Sequence, residues 1–446
     1  MEVLPKNWVK IESNLVSDIT DYVANGSFKT LSDNVRTFDS ENFAILIRLK
    51  DFNTNFSKDL KYIDESSYLF LNKSRIEPGD LFISNVGNPG ICYIVPKLNK
   101  PMSLGPNGIR LRSKNKINVK FIKYYLESPH GKSEINNIVT GTAQLKFNKT
   151  DFRNLKFPLP PLPEQERIVA KLDALFAQHE AMKKALERIP QLLKDFRQQI
   201  LEQAVNGTLS EHFHESNKQP KWKLVKLQEV CKIVDPHPSH RTPPEVINGV
   251  PYIGIGDIDV NHKIDFLNAR KVDNKVLQEH INRYKLKNGD FIFGKIGTIG
   301  KPIKIPDTQD FCLSANVILI QPHENEINPH FIFLYLDSPL FMRNVLEKTK
   351  ATSQPAFGIK KMRDELVNLP SLNEQQEIVY LVESLFAKAD TIEKRYKTLK
   401  EKIDSLPQAI LHKAFKGELV PQLPTDGDAK DLLEEILKLK KEVKKK

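Results

Sequence analysis

The chain has 446 residues, of which 40% are hydrophobic and 28% are charged, so it is long enough for two or three separate globular cores. The sequence has no run of about 18 apolar residues and its first residues lack the regions of a secretory signal, so we expect a cytoplasmic protein that contacts no membrane. The formal net charge of +11 is compatible with a nucleic-acid partner, and the spacing of Cys92, Cys231 and Cys312 predicts buried thiols rather than disulfides or a zinc site.

The first part of the chain, residues 1–157, is predicted to fold as a mixed α/β globule. It contains short runs of β-type residues, such as Phe43–Arg48 and Asp80–Ser84, among turns rich in Gly, Pro and Asn. This pattern indicates several short strands.

Residues 158–209 are predicted to form a helical spacer. Apolar residues recur there at helical spacing, and the residues expected to pair with a partner helix are Ile168, Leu172, Leu175, Phe176, Leu186 and Leu193. Pro163 suits a first helical turn and Gly207 a left-handed cap, whereas Pro190 predicts a kink or a restart. A helix of about forty residues extends about 60 Å, too far to be buried by one small domain, so a second helix is expected beside it.

The second part of the chain follows the same order. Residues 210–368 predict another mixed α/β globule, with a strand at Phe291–Phe293, and residues 369–446 predict a second spacer and a tail helix. The expected pairing residues of this spacer are Ile378, Val382, Leu385, Phe386, Leu399 and Ile403. Pro407 predicts another kink or restart, and a short helix from Ala429 to about Val443 is expected to pack beside the long ones.

An internal repeat with a constant offset of 210 residues relates the two parts. The matching pairs include Gly79-Asp80 with Gly289-Asp290, Tyr125-Leu126 with Tyr335-Leu336, and Glu164-Gln165 with Glu374-Gln375. Chance does not keep one offset over so many segments, so we expect two copies of one globule-plus-helix unit.

The sequence lacks the motifs that would indicate catalysis. It has no P-loop and no amino-methyltransferase motif, and Gly254-x-Gly256 is not followed by the third glycine of a dinucleotide fingerprint. His237-Pro-Ser-His240 after Asp235 could imitate a metal site, but its prolines favour a turn. We therefore expect no catalytic residues and no metal.

Two glycine-bearing loops, one in each half, are the first candidates for contact with DNA. Glycine lets the backbone approach a phosphate closely, but the same loops could be turns whose glycines only permit positive φ. The candidate residues are Ser84, Asn85 and Asn88 in the first loop, and Lys295 and Thr298 in the second.

A second pair of segments shares Thr, Gln and Phe at the same offset. Glutamine can pair with adenine in the major groove, and lysine can contact guanine or phosphate, although each segment could equally cap the helix that follows it. The candidate residues are Thr142, Gln144, Lys146, Asn148 and Lys149 in the first half, and Thr352, Gln354, Lys360 and Lys361 in the second.

Over essentially its whole length, the chain resembles the specificity subunit of a Type I restriction-modification enzyme. The resemblance rests on Pro158–Val169, Leu369–Val379 and Leu406–Pro421, and on the domain starts Leu4–Trp8 and Pro220–Trp222. The second spacer departs from the first by having Ser-Leu-Asn where the first has Pro-Leu-Pro.

The resemblance implies an α+β fold with target-recognition domains at 1–157 and 210–368, each binding one half of a split site in double-stranded DNA. It implies that the spacers 158–209 and 369–446 form long antiparallel coiled-coil helices that set the distance between the domains. It also implies two modification subunits, which bring S-adenosylmethionine and methylate adenine, and restriction subunits, which use ATP and Mg to translocate and cleave. No cofactor is expected on this chain itself.

A pseudo-twofold repeat would match the dyad of duplex DNA, in which one helical turn is about 34 Å. Because the globules differ more than the helices, we expect an asymmetric bipartite target. Two other hypotheses remain: an enzyme of another class, such as the specificity part of a fused restriction enzyme, and a coiled-coil scaffold without a nucleic-acid role. The scaffold would bind DNA weakly and without the steep salt dependence that phosphate contacts produce.

Overall fold

The computed structural model describes residues 4–113, 117–212, 222–239, 241–259, 262–306, 310–323, 325–349 and 356–444. The fold is α+β, with helices and sheets in both halves of the chain. The chain divides into two compact units. The first contains the residues up to Leu186 and those from Leu399 onward, and the second is Glu187–Thr398.

The first globule contains short strands and helices in alternation. Its strands are β1 (Val9–Glu12), β2 (Ser17–Asp21), β3 (Thr37–Phe38), β4 (Ala44–Ile47), β5 (Tyr62–Ile63), β6 (Leu81–Ser84), β7 (Cys92–Ile94), β8 (Met102–Leu104), β9 (Gly108–Ser113) and β10 (Lys156–Leu159). Its helices are α1 (Ser13–Val16), α2 (Phe28–Asn34), α3 (Leu49–Asn53), α4 (Glu65–Phe70), α5 (Val119–Glu127), α6 (Pro129–Ile138) and α7 (Lys149–Arg153). The predicted strands at 43–48 and 80–84 are confirmed.

Helices α8 (Leu162–Glu187) and α9 (Ile189–Asn206) follow the first globule. The second globule has strands β11 (Lys223–Lys226), β12 (Cys231–Val234), β13 (Val250–Ile253), β14 (Lys271–Val272), β15 (Phe291–Gly294), β16 (Gly300–Lys304), β17 (Cys312–Leu313), β18 (Val317–Pro322) and β19 (Leu366–Leu369). Its helices are α10 (Leu227–Val230), α11 (Asn274–Arg283), α12 (Pro329–Asp337), α13 (Pro339–Lys348) and α14 (Ile359–Arg363), and α15 (Leu372–Phe415) and α16 (Ala429–Lys444) complete the chain.

The two globules have corresponding strand pairings, except that the mixed sheet of the first contains an additional strand, β3. In the first, β2-β9-β6-β7 form an antiparallel sheet, β3-β5-β4-β8 form a sheet in which β4 and β8 run parallel, and β1 pairs with β10. In the second, β12-β18-β15-β16 form the antiparallel sheet, β14-β13-β17 form a sheet in which β13 and β17 run parallel, and β11 pairs with β19.

A buried Glu-Gln pair at the start of each long helix joins that helix to its globule. Glu164 accepts a hydrogen bond from the indole Nε1 of Trp8 at 3.0 Å, and Gln165 accepts one from the backbone N–H of Asn118, ahead of α5. Burial raises the pKa of Glu164, while the donors on Trp8 and Asn7 lower it.

The second unit repeats these contacts. Glu374 accepts from the indole of Trp222 at 2.9 Å, and Gln375 accepts from Asn328 N–H, ahead of α12. The motif at the helix starts therefore has a structural role, because each glutamate binds the tryptophan that opens its globule.

The long helices share hydrophobic cores with the globules. In the first unit, Ile168 and Leu172 of α8 lie in one cluster with Leu411 and Phe415 of α15 and with the globule core. In the second unit, Ile200 and Leu201 of α9 cluster with Ile378 and Val382 of α15. Each unit therefore buries one part of α15 against one part of the first helical stretch.

The prolines inside the helical patterns have different outcomes. The restart predicted at Pro190 is confirmed, since α9 begins at Ile189 with Pro190 in its first turn. No restart occurs at Pro407, because α15 continues through it. Proline has no N–H to donate to the carbonyl of Ile403, and that carbonyl instead lies 2.9 Å from the buried ring Nε2 of His179. The histidine replaces the missing backbone hydrogen bond.

The predicted tail helix is confirmed as α16. Leu432 and Ile436 join the same cluster as Ile168, and Asp426, just before the helix, forms a two-pronged ion pair with Arg167 at 2.6 Å. Gly207 adopts the predicted left-handed conformation at the end of α9, with φ +87°.

Candidate nucleic-acid interface

The structure brings together the two segments of the first globule that the sequence singled out for DNA contact. Gly87 N–H donates to Leu145 O at 2.8 Å, and Phe147 N–H donates to Asn85 O at 3.0 Å. An isolated β-bridge also joins Val86 to Lys146. The loop after β6 and the segment before α7 therefore form one continuous surface.

The exposed side chains of this surface are those suited to a polar ligand. Asn88, Thr142, Gln144 and Lys146 are all exposed. They supply amide, hydroxyl and ammonium groups of the types that contact base edges and phosphates.

Other candidates in the first globule are engaged in the fold. Ser84 is fully buried, and its hydroxyl donates to Asn88 O and accepts from Ile91 N–H, so it shapes the loop instead of facing solvent. The amide of Asn85 donates to Phe147 O at 3.2 Å.

The two candidates beside α7 also have partners within the globule. Asn148 caps α7 by accepting from Asp151 N–H at 2.8 Å, which is the capping role left open for this segment. Lys149 forms an ion pair with Asp21 at 2.7 Å.

The second globule joins its corresponding segments in the same way. Phe357 N–H donates to Lys295 O at 2.8 Å, and an isolated bridge joins Ile296 to Ala356. The Lys295 side chain is only 6% exposed and pairs with the partly buried carboxylate of Asp235 at 3.0 Å, so its charge is already neutralised within the fold. In this conformation it is not available to DNA.

Three of the remaining candidates of the second globule are described by the structure. Thr298, Lys360 and Lys361 are exposed, and the Lys361 ammonium donates to Lys348 O. Thr352 and Gln354 lie outside the described residues.

The expected helix-pairing residues are mostly buried. Ile168, Leu172, Leu186, Leu193, Ile378, Val382 and Ile403 are buried, and Leu175, Phe176, Leu385 and Phe386 are partly buried. Leu399 is 47% exposed, so its position in the apolar pattern does not correspond to burial within the chain.

A polar cleft in the second globule was not found from the sequence. It has a volume of about 450 Å³ and is lined by residues that include Asp257, Arg270, Ile296 and Asn316. Ile296 belongs to the loop that joins the segment before α14, so the cleft borders the candidate surface. The available signal was the pair Gly254 and Gly256, dismissed as an incomplete nucleotide motif.

A chain of buried hydrogen bonds holds one wall of this cleft. His237 Nε2 lies 2.9 Å from Arg241 O, His237 Nδ1 lies 3.0 Å from His280 Nε2, and His280 Nδ1 lies 2.7 Å from the hydroxyl of Tyr284. Tyr284 in turn accepts from Leu313 N–H. Burial, followed by the nearby His237 and Arg283, lowers the pKa of His280 to about 4.

Each imidazole in this chain has a hydrogen-bond partner at both ring nitrogens, and His237 Nε2 also lies 2.8 Å from the Ser239 hydroxyl. Each ring can therefore donate through one nitrogen and accept at the other. The chain is thus complete when both imidazoles are neutral. Thr242, next to Arg241, lines the cleft, so the network positions that wall.

The described residues contain no cluster of His, Cys, Asp and Glu that could hold a metal ion. His237 is used in the hydrogen-bond chain, and His240 lies outside the described residues. The three cysteines are free and buried, as predicted, and burial raises the thiol pKa of Cys231 and Cys312 to about 12. Among the described helices, none is both long and apolar enough to cross a membrane.

Comparisons with known proteins agree with this architecture. The family model of the Type I restriction modification DNA specificity domain matches residues 53–191 and 220–401. The specificity subunit of the Type I restriction enzyme EcoKI of Escherichia coli K12 is 29% identical over 439 residues, covering 94% of this chain and 90% of that subunit. The EcoBI specificity subunit of Escherichia coli is 28% identical over 440 residues, covering 93% of this chain and 87% of that subunit.

A solved structure has the same fold. The HsdS subunit from Thermoanaerobacter tengcongensis aligns with a TM-score of 0.60 at 19% identity, covering 93% of this chain and 98% of that one. Because the family model matches both halves of the sequence, the chain belongs to the Type I restriction-modification DNA specificity subunits.

Proposed function

We propose that each globule binds one half of an asymmetric bipartite DNA site. The observation that carries this proposal is the repeated framework: corresponding sheets, the same Glu-Gln contacts at the helix starts and the same joined loops occur in both halves. Two similar frameworks with different exposed side chains suit two different half-sites on one duplex.

In this proposal α8 and α9 pair with α15 as an antiparallel coiled coil, and a pseudo-twofold axis relates the repeats. Support comes from the contacts in each unit, where early residues of one helical stretch meet late residues of the other: Ile168 clusters with Phe415, and Arg197 pairs with Asp390. The helices then set the distance between half-sites and dock two modification subunits.

The complex acts in the cytoplasm. The modification subunits supply S-adenosylmethionine and methylate adenine, and restriction subunits supply ATP- and Mg-dependent cleavage. This chain itself holds no cofactor and contributes recognition.

The proposal is tested by single-molecule methylation sequencing of DNA from cells that express this chain with its candidate modification partner. We expect a split, asymmetric, adenine-methylated motif that disappears when the partner is expressed alone. Methylation that does not depend on this chain would contradict the proposal and favour the scaffold hypothesis.

The spacing role is tested by inserting one helical turn between Leu172 and Leu186, with compensating residues in the facing part of α15. We expect both half-sites to be retained and the spacer between them to change. An unchanged spacer would defeat the role of the helices in setting the distance.

A further inference from the structure

The cleft of the second globule holds polar groups that the fold leaves partly unused. The carboxylate of Asp257 accepts one hydrogen bond from Gly254 N–H at 2.7 Å, is partly buried, and has no ion-pair partner among the described residues. Burial raises its pKa, and the nearby Asp265 adds to the rise. A carboxylate in this situation is stabilised by a hydrogen-bond donor that enters the cleft.

Donor groups line the same cleft. Arg270 is exposed, and of its guanidinium nitrogens Nη1 donates to Pro243 O at 3.1 Å, which fixes the side chain while leaving other N–H groups for a ligand. Asn316 also lines the cleft, and its amide is held in place because its Oδ1 accepts from Ile255 N–H at 3.2 Å and from the Ser314 hydroxyl. The cleft thus offers one acceptor and a positioned set of donors.

The first globule has the same framework but a closed cleft. There Asp51 accepts from Arg48 N–H at 2.7 Å, as Asp257 does from Gly254, but the Arg48 guanidinium also binds Asp51 through Nη2 at 2.7 Å. Asp51 is fully buried. A side chain cannot take this place in the second globule without a shift, since a Cβ on Gly254 would lie 2.7 Å from the Ser314 hydroxyl.

We propose that this cleft reads a C·G base pair in the half-site of the second globule. The Asp257 carboxylate accepts from the N4 amino group of cytosine, and the Arg270 guanidinium donates to the O6 and N7 edge of guanine. These are the pairings that carboxylate and guanidinium groups form in the major groove. The inference rests on the proposed DNA-binding function and adds the residues and the base pair.

The test uses the complex of the full chain with its modification subunits and compares wild type with Asp257→Asn. Asparagine keeps an acceptor for Gly254 N–H but loses the charge, and it prefers adenine. We expect the wild-type motif to contain a C·G pair in the second half-site, and the variant to methylate that motif at least about fivefold more slowly and to relax at that one pair. The first half-site and the spacer remain unchanged.

A second variant keeps the test decisive if Asp257→Asn fails to fold. Gly256 also lines the cleft, and a Cβ there would meet nothing within 4 Å, so Gly256→Leu is accommodated and blocks the cleft sterically. We expect the same relaxation at the same pair. Glu279→Gln, which removes one negative charge from an exposed position of α11, is the matched control and keeps the wild-type motif and rate.

The outcomes separate the two proposals. If wild type gives no bipartite motif, the DNA-recognition function itself is wrong. If wild type gives the motif but Asp257→Asn or Gly256→Leu folds and methylates it at the wild-type rate and specificity, the cleft does not read DNA. A wild-type second half-site without any C·G pair would also overturn the inference.

Discussion

The two globules share a backbone framework and differ in the residue that closes the cleft. Asp51 and Asp257 each follow the central strand of a mixed sheet and each accept from the backbone N–H three residues earlier. Three residues before Asp51 stands Arg48, whose side chain covers the carboxylate, whereas three residues before Asp257 stands Gly254, which leaves the carboxylate open to the cleft. The shared framework fixes the position of the carboxylate, and one neighbouring side chain decides whether a ligand can reach it.

The two units differ in a second respect, the contacts between their long helices. In the first unit, the buried His179 ring serves the carbonyl that Pro407 leaves without a donor. At the offset of 210, His179 corresponds to Ala389 and Pro407 to Arg197. Arg197 has a backbone N–H, so no carbonyl needs a side-chain donor, and its guanidinium instead binds Asp390 and Glu393. Each unit thus has its own specific polar contact.

The largest effect on stability is expected from Arg48→Gly, which gives the first globule the glycine that the second globule has at the corresponding position, Gly254. This change leaves the fully buried Asp51 without its guanidinium partner, and breaking such a pair costs about 3 kcal/mol. Hydrogen exchange of the β4 amides should report that loss of local stability. Adding Asp51→Asn should restore much of it, and an equal loss in both variants would contradict a charge-based cause.

The next effect concerns the histidine that serves Ile403. We expect His179→Leu to lower the free energy of unfolding of the first unit by about 1–3 kcal/mol, because a buried carbonyl loses its donor. Pro407→Ala restores a backbone N–H for the same carbonyl. The double variant should therefore lose less than His179→Leu alone, and simple additivity in a double-mutant cycle would show that the two residues act independently.

The second globule should lose stability on acidification because of its buried histidine pair, His237 and His280. The first globule should not show this loss, since its described residues form no comparable histidine network. The pKa of His280 is lowered to about 4 in the fold from an ordinary value of 6.5, so between these values the unfolded chain binds the proton and the folded chain does not. The stability contribution is complete above pH 6.5 and falls as the pH drops toward 4, by at most about 1.4 kcal/mol per pH unit.

This pH dependence is measured by hydrogen exchange of the β13 and β17 amides between pH 7 and pH 5, corrected for intrinsic exchange rates. His280→Gln should flatten the profile, and the amides of β4 and β8 in the first globule provide the internal control. Equal slopes in the two globules would contradict a specific role for His280.

The sequence predicted the elements that depend on periodic patterns and on the repeat. The long helices, the strands at 43–48 and 80–84 and the Gly207 cap follow from local spacing and backbone preference. The uninterrupted α15 was not predictable, because the donor to the Ile403 carbonyl comes from His179, 224 positions away in the chain. Local rules cannot supply such a partner.

The sequence singled out pairs of segments for DNA contact without predicting that the fold would place the two segments of each pair side by side. It also could not distinguish Lys146, which is exposed, from Lys295, which is buried against Asp235. The cleft at Asp257 depends on a glycine whose meaning appears only when the sheet places it beside Ser314. Burial and partner choice, rather than residue type, separate these cases.

The smallest expected effect concerns the polar contact of the second unit, Arg197 with Asp390 and Glu393. Their side chains are 28%, 70% and 36% exposed, so water and salt screen the pair, and Arg197→Ala should cost less than about 1 kcal/mol. That loss should shrink further at high salt, because exposed charges are screened. The cost of His179→Leu should be insensitive to salt, since a buried carbonyl is not screened. A salt-independent cost at Arg197 would mean that its packing on the helix, and not its charge, stabilises the second unit.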